Sequence, residues 1–370
     1  MDLLFYLLIF LLVLIVSSTT NKLFPFIPMP LIQILLGIVV GIFLPNNQYH
    51  LDTELFLALV IGPLLFREAQ ESDITSILKH WRIVLYLIFP VIFISTLSIG
   101  GLAHVLWVSL PLAACVAVGA ALGPTDLVAF ASLSERFTFS KRISNILKGE
   151  GLLNDASGLV AFRMALIAWT TGAFSLSQAG SSLAISIIGG FAIGFITAII
   201  NRFLHTFLLS VRITDIASEL LLELSLPLLT FYLAENLHVS GIIAVVVAGI
   251  LKASRFKKIN LLEAQVDTVT ETVWHTVTFI LNGSVFVILG MELEWISEPI
   301  LKSPFYNKLL LLFGIFLLTF LLFAIRFIMI YGFYVFRIKK LQKSLHKYMK
   351  DMLLLTFSGV KGTVSIATIL

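Results

Sequence analysis

The sequence predicts an all-α polytopic membrane protein, on three observations. Its 370 residues are 59% hydrophobic and 12% charged, with a mean hydropathy of +1.03, whereas soluble domains carry about a quarter charged residues. The apolar residues fall into runs long enough to cross about 30 Å of hydrocarbon, which takes roughly 20 residues of helix. Lys and Arg gather in every second loop between those runs. Other classes drop out on the same reading. The single cysteine, Cys115, excludes a disulfide framework, and the seven histidines show no HxxxH or HExxH spacing. No cofactor and no nucleic-acid partner is expected.

Cutting at polar and Gly/Pro breaks gives twelve spans in order: 2–18, 28–45, 53–66, 83–103, 105–133, 143–170, 181–203, 216–235, 239–251, 267–291, 308–336 and 351–370. The first has an acidic start and no small-residue cleavage site after it, only Ser17–Thr20 and Asn21, so it reads as a retained helix rather than a signal peptide. The third and ninth are short, and the sixth and eleventh long. Lys and Arg resist translocation and accumulate in short cytoplasmic loops. Twenty of the 25 lie in alternate loops: Lys22; Arg67 to Arg82; Arg136 to Lys148; Arg202 and Arg212; Lys252 to Lys258; and Arg337 to Lys350. The other loops hold Lys302 and Lys308, and Arg163, Arg326 and Lys361 fall inside spans. This predicts an amino terminus outside the cell membrane and a multi-pass chain. Leu370 falls inside an apolar run, so a thirteenth span is expected to be missing.

A charge at the bilayer centre costs about 2.5 to 3.5 kcal/mol on insertion scales, so ionisable residues inside spans are functional candidates. They cluster here. The fifth span contains GPTDLVAF, where Pro124 removes a helix hydrogen bond beside Gly123, Thr125 and Asp126 follow. The sixth contains GEGLLNDASG with Glu150, Asn154 and Asp155; the eleventh carries Arg326, and the twelfth GVKG with Lys361. A broken helix at midmembrane exposes carbonyls and half-helix dipole ends to a small cation.

Each of these has a plainer reading. Pro–Gly kinks occur in membrane helices for packing alone; Thr125 and Asp126 at the break argue for more. Glu150 and Arg326 are read as a structural ion pair fixing helix register rather than as cation ligands. Asp155 lies five residues beyond Glu150, about 140° round the helix, so the two carboxylates cannot face one partner. Lys361 is read as supporting a helix crossing, as counter-charge to a helix end or as partner of Asp126. Arg163 reads as structural or snorkelling, Glu219 and Glu223 as a polar stripe, and Glu68 as solvated or lining an access funnel. The breaks also recur. The fifth span counted from the first, and the fifth counted from the eighth, both carry one, and an offset of seven spans inverts the second set, as an inverted repeat requires.

The motifs GPTDLVAFASL, GEGLLNDASGLVAFR, LAENLHVSGIIAVVVAGI, LNGSVFVILGMEL and SGVKGTVSIA stand in the order found in sodium/proton exchangers of the electroneutral branch of the monovalent cation:proton antiporter superfamily. The chain resembles that family over essentially its whole length. The resemblance implies an inverted-repeat antiporter fold of thirteen helices, with the fifth and twelfth discontinuous and crossed beside the sixth. It implies a homodimer, with a dimerisation domain at 1–80 and 206–300, a linking span at 173–205, and an ion-transporting core at 81–172 and 301–370, and the chain is expected to be bacterial. Carried over, Asp155 resembles the carboxylate that takes cation or proton, with Asn154, Thr125 and Asp126 beside it, and Glu150 with Arg326 resembles the family's buried pair. Two positions depart: Lys361 stands where the family often has Arg, and Gly151 where it often has Ser.

The expected activity is exchange of Na+ or Li+, with K+ as a further candidate, for H+ by alternating access, electroneutral and with no ATP. Burial favours states in which a carboxylate is neutralised, so proton and cation exclude one another at Asp155. Hard oxygen ligands suit these cations. A monovalent cation channel would need pore-lining rings. An intramembrane hydrolase would need HExxH, GxSxG or a Cys/His pair, none of which the sequence supplies.

Overall fold

A computed structural model describes the chain except residues 1, 45–52, 109, 124–139, 172–175, 212–214, 254–260, 303–307, 342–347 and 358–370. All regular structure among the described residues is helical. Five helices there are long and apolar enough to cross a membrane: Trp81–Leu106, Gly180–Leu208, Ile216–Asn236, Thr268–Ser297 and Lys308–Phe336. Shorter apolar helices include Met29–Phe43 and Gly241–Ala253. Large side chains such as Phe203, Phe316 and Phe320 are exposed on them, as a lipid-facing surface requires.

The elements run α1 (Asp2–Leu23), α2 (Met29–Phe43), α3 (Thr53–Phe56, Leu57–Ile61 and Gly62–Glu71), α4 (Ile74–Leu78), α5 (Trp81–Tyr86, Leu87–Val91 and Ile92–Leu106) and α6 (Leu112–Leu122). They continue with α7 (Lys141–Thr171), α8 (Leu176–Val211), α9 (Ile216–Asn236), α10 (Gly241–Ala253), α11 (Leu261–Lys302), α12 (Lys308–Leu341) and α13 (Met349–Phe357). The middle pieces of α3 and α5 are π-helical turns, wider by one residue, and each accompanies a proline, Pro63 or Pro90. A proline ring collides with the carbonyl four residues back and offers no N–H; the wide turn makes the room, and the Gly62 N–H bonds to the Leu57 carbonyl five residues back.

Several sequence boundaries move. The piece 105–133 does not start at residue 105: α5 runs on to Leu106, and α6 starts at Leu112 behind Pro111, whose fixed φ and missing N–H suit a helix start. The piece 267–291 lies within a 42-residue helix, α11, because polar residues continue helices past the apolar stretch. The break at 124–126 and the run 358–370 lie outside the described residues.

The chain divides into two compact units. Unit 1 takes residues 1–19, 47–72 and 176–287. Its heart is α10, in which Ile242–Ala248 are buried throughout, packed by α3, α8 and α9. The approach of α8 to α10 depends on Gly194, where a Cβ would run into the Ala244 carbonyl oxygen. Unit 2 takes residues 20–46, 73–175 and 288–370. There α5, α6 and α12 enclose an apolar cluster of Ile99, Ala103, Cys115, Leu318 and Leu322, while α7 packs on α4, α5, α6 and α13.

Candidate functional site

The site is built on α7 of unit 2. Arg326 of α12 reaches Glu150 of α7 with both terminal nitrogens, Nη1 to Oε1 at 2.6 Å and Nη2 to Oε2 at 2.8 Å. Neither residue is exposed: Glu150 is at 0% and Arg326 at 2%. Planar fork against planar carboxylate is the geometry in which Arg cannot be replaced by Lys. The third donor is also used, since Nε donates to the Leu355 carbonyl of α13 at 3.0 Å. One guanidinium therefore joins α7, α12 and α13.

A second fastening lies two turns earlier on α7. Arg142 sits 3.6 Å from Asp351 of α13, donates to the Tyr334 hydroxyl of α12 at 3.3 Å, and lies over the rings of Tyr334 and Tyr348. Two anchors on one helix fix its rotation as well as its position. The backbone of α7 continues helically through Asn154 and Asp155, whose side chains lie outside those described. Pro124, Thr125, Asp126 and Lys361 lie outside the described residues altogether, as does the side chain of Arg163. Among the described residues no group of three or more His, Cys, Asp or Glu could hold a metal ion.

Unit 1 holds a different polar centre, which reasoning from the sequence missed. Glu223 of α9, only 8% exposed, accepts on Oε1 from Gln70 Nε2 of α3 at 2.9 Å and from the Trp274 indole of α11 at 3.3 Å. Its Oε2 lies 3.5 Å from Lys252 Nζ of α10. Lys252 also donates to Asn201 of α8 at 3.1 Å, whose amide in turn bonds the Leu222 carbonyl. Arg67 donates to Gln70 at 3.0 Å, pairs with Glu71 and lies over Trp274. Glu219, one turn before Glu223, goes elsewhere, to His205 Nε2 at 2.8 Å. Two glutamates that look like one stripe in the sequence thus serve separate contacts. Glu68 is half-buried and its carbonyl accepts from Ser72.

Residues 7–370 match the family model for the transmembrane sodium/hydrogen exchanger. The chain belongs to the sodium/hydrogen exchanger family. Among members of the family, the sodium, potassium, lithium and rubidium/H+ antiporter of Bacillus pumilus (strain SAFR-032) is 35% identical over 353 residues, 95% of this chain and 53% of that protein. The protein of the same description from Bacillus subtilis (strain 168) is 34% identical over 369 residues, 99% of this chain and 55% of its own. The chain thus spans just over half the length of these relatives. The fold matches the structure of the sodium proton antiporter MjNhaP1 from Methanocaldococcus jannaschii, with a TM-score of 0.70 at 19% identity, covering all of this chain and 85% of that one. An all-helical exchanger-type fold is therefore what the Arg326 clasp and the anchors of α7 are built into.

Proposed function

We propose that the protein is a secondary antiporter that exchanges a monovalent cation for H+ across the cell membrane, with Asp155 as the shared carboxylate. The observation that carries this reading is the bidentate bond of Arg326 to Glu150. It commits Glu150 to a fixed cation, so on the same helix Asp155 is left for exchange. Proton and cation compete for one carboxylate, and each leaves when the other arrives. Asn154, Thr125 and Asp126 complete an oxygen-rich site around the breaks at Pro124 and Lys361, where the fifth and twelfth of thirteen spans cross. The core, residues 81–172 and 301–370, swings against a dimerisation domain in a homodimer whose amino terminus lies outside the cell.

Na+ and Li+ are the expected substrates, and the ions in the description of the Bacillus relatives support adding K+. The test is collapse of a pH gradient in proteoliposomes on adding Na+, Li+ or K+ in turn, with valinomycin to separate electroneutral from electrogenic exchange. Asp155→Asn should abolish exchange while the protein still elutes as wild type does. Substantial Na+/H+ exchange by purified Asp155→Asn would overturn the assignment.

A further inference from the structure

The corner where α4 meets α5 in unit 2 has two faces of opposite character. Inward, Ile77, Ile83 and Val84 are buried. Ile77 and Val84 close on α7 at Gly149, where a Cβ would come within 2.7 Å of the first and 3.3 Å of the second. The corner therefore rests on α7 one residue before Glu150. Outward, Leu78, Trp81 and Leu85 are exposed at steps of three and four, so one apolar stripe begins on α4 and continues along the span Trp81–Leu106.

Beside that stripe stand Lys79 and Arg82, both exposed and about one helical turn apart. Among the described residues neither forms an ion pair. The one acid of the segment 73–82, Asp73, is committed to the start of α4, where it accepts from the Ser76 N–H and from the Thr75 and Ser76 hydroxyls. The His80 ring, 3.0 Å from the Ser76 carbonyl, belongs to the bend itself. Arg82 lies over the Trp81 ring at 5.5 Å, and tryptophan settles at the level of lipid headgroups. Two cations thus stand at headgroup depth at the end of a membrane span. Basic residues at such an end serve topology wherever they fall; topology asks neither for the tryptophan beside them nor for a back face packed on α7.

We infer that the α4–α5 corner binds an anionic phospholipid, its phosphate between Lys79 and Arg82 and its chains along Leu78, Trp81 and Leu85, and that the bound lipid steadies α7 through Gly149. Guanidinium and ammonium groups donate charge-assisted bonds to phosphate oxygens. Each basic residue near such a surface favours an anionic over a zwitterionic headgroup by about fivefold. The lipid site depends on nothing about which side of the membrane the corner faces. Its effect on exchange rests on the function proposed above.

Trp81 reports on the site without any transport. In phosphatidylcholine vesicles, the part of the emission that Trp81→Phe removes should be quenched more by brominated phosphatidylglycerol than by brominated phosphatidylcholine. The preference should fall roughly fivefold with each of Lys79→Gln and Arg82→Gln, and persist when the charges are kept in Lys79→Arg with Arg82→Lys. Equal quenching by the two lipids in the wild type, or an undiminished preference in Lys79→Gln with Arg82→Gln, overturns the site. Exchange at saturating Na+ tests the hold on α7. Adding phosphatidylglycerol should raise it severalfold in wild-type proteoliposomes and leave Lys79→Gln with Arg82→Gln unchanged, although the surface charge draws Na+ to both alike. An equal rise in both overturns the hold on α7. Absence of exchange by the wild type in either lipid would instead sink the proposed function and leave the quenching result standing.

Discussion

Glu150 and Glu223 are both buried carboxylates on apolar helices, one in each unit, yet they are neutralised in opposite ways. Glu150 takes two short charge-assisted bonds from one guanidinium, whereas Glu223 divides its two oxygens among an amide, an indole and an ammonium from three helices. A concentrated contact fixes one geometry and fails completely when either member is lost. A distributed one degrades in parts. The helix on which Asp155 stands is held by the first kind, and Arg326 extends that hold to α13 through the Leu355 carbonyl.

The largest effect should therefore follow Arg326→Gln, which strands a buried carboxylate and costs about 3 to 5 kcal/mol. Unfolding in detergent measures it, and Glu150→Gln with Arg326→Gln together should recover part of the loss. Strictly additive losses would break the comparison at its root. Lys252→Met should cost less, about 1 to 3 kcal/mol, because Gln70 and Trp274 still donate to Glu223. A loss as large as that of Arg326→Gln would show that Glu223 depends chiefly on its ammonium.

Two smaller effects sharpen the contrast by testing contacts away from either carboxylate. α9 ends in a left-handed residue, His238 at φ 55°, with the Val239 N–H bonded to the Ala234 carbonyl and the His238 N–H to that of Glu235. Glycine is the usual residue at such a helix end, so His238→Gly should raise stability by up to about 1 kcal/mol, read as a higher melting temperature. Asp73 caps α4, accepting from the Ser76 N–H and from the Thr75 and Ser76 hydroxyls, and these bonds lower its pKa from 3.8 to about 2. A depressed carboxylate pKa stabilises the fold above the unfolded value of 3.8 and ceases to do so as pH falls through about 2. The small gap in melting temperature between wild type and Asp73→Asn should be present at neutral pH and vanish near pH 2; a constant gap would remove the cap from the account.

Membrane character and most helix positions can be read from the sequence, because an apolar run of the right length admits few other interpretations. Glu150 and Arg326 stand out there as charges at depth, although 176 residues separate them. Glu223 stands out for the same reason, but its partners do not. Gln70 and Trp274 are neutral and break no hydropathy pattern, and they come from 153 and 51 residues away. Lys252, at the cytoplasmic end of its span by the loop count, looks like one more basic loop residue until its ammonium is seen turned inward.

The wide turn in α3 governs the bearing of a side chain far from it. Adding one residue to a helical turn rotates everything downstream by about 100° relative to uninterrupted winding. Gln70 meets Glu223 in that rotated setting. Pro63 is what keeps the turn open, so it steers, from two turns away, an amide it never touches. Replacing Pro63 with alanine would allow ordinary winding to return, and α3 would then have to choose between a relaxed backbone and its bond to α9.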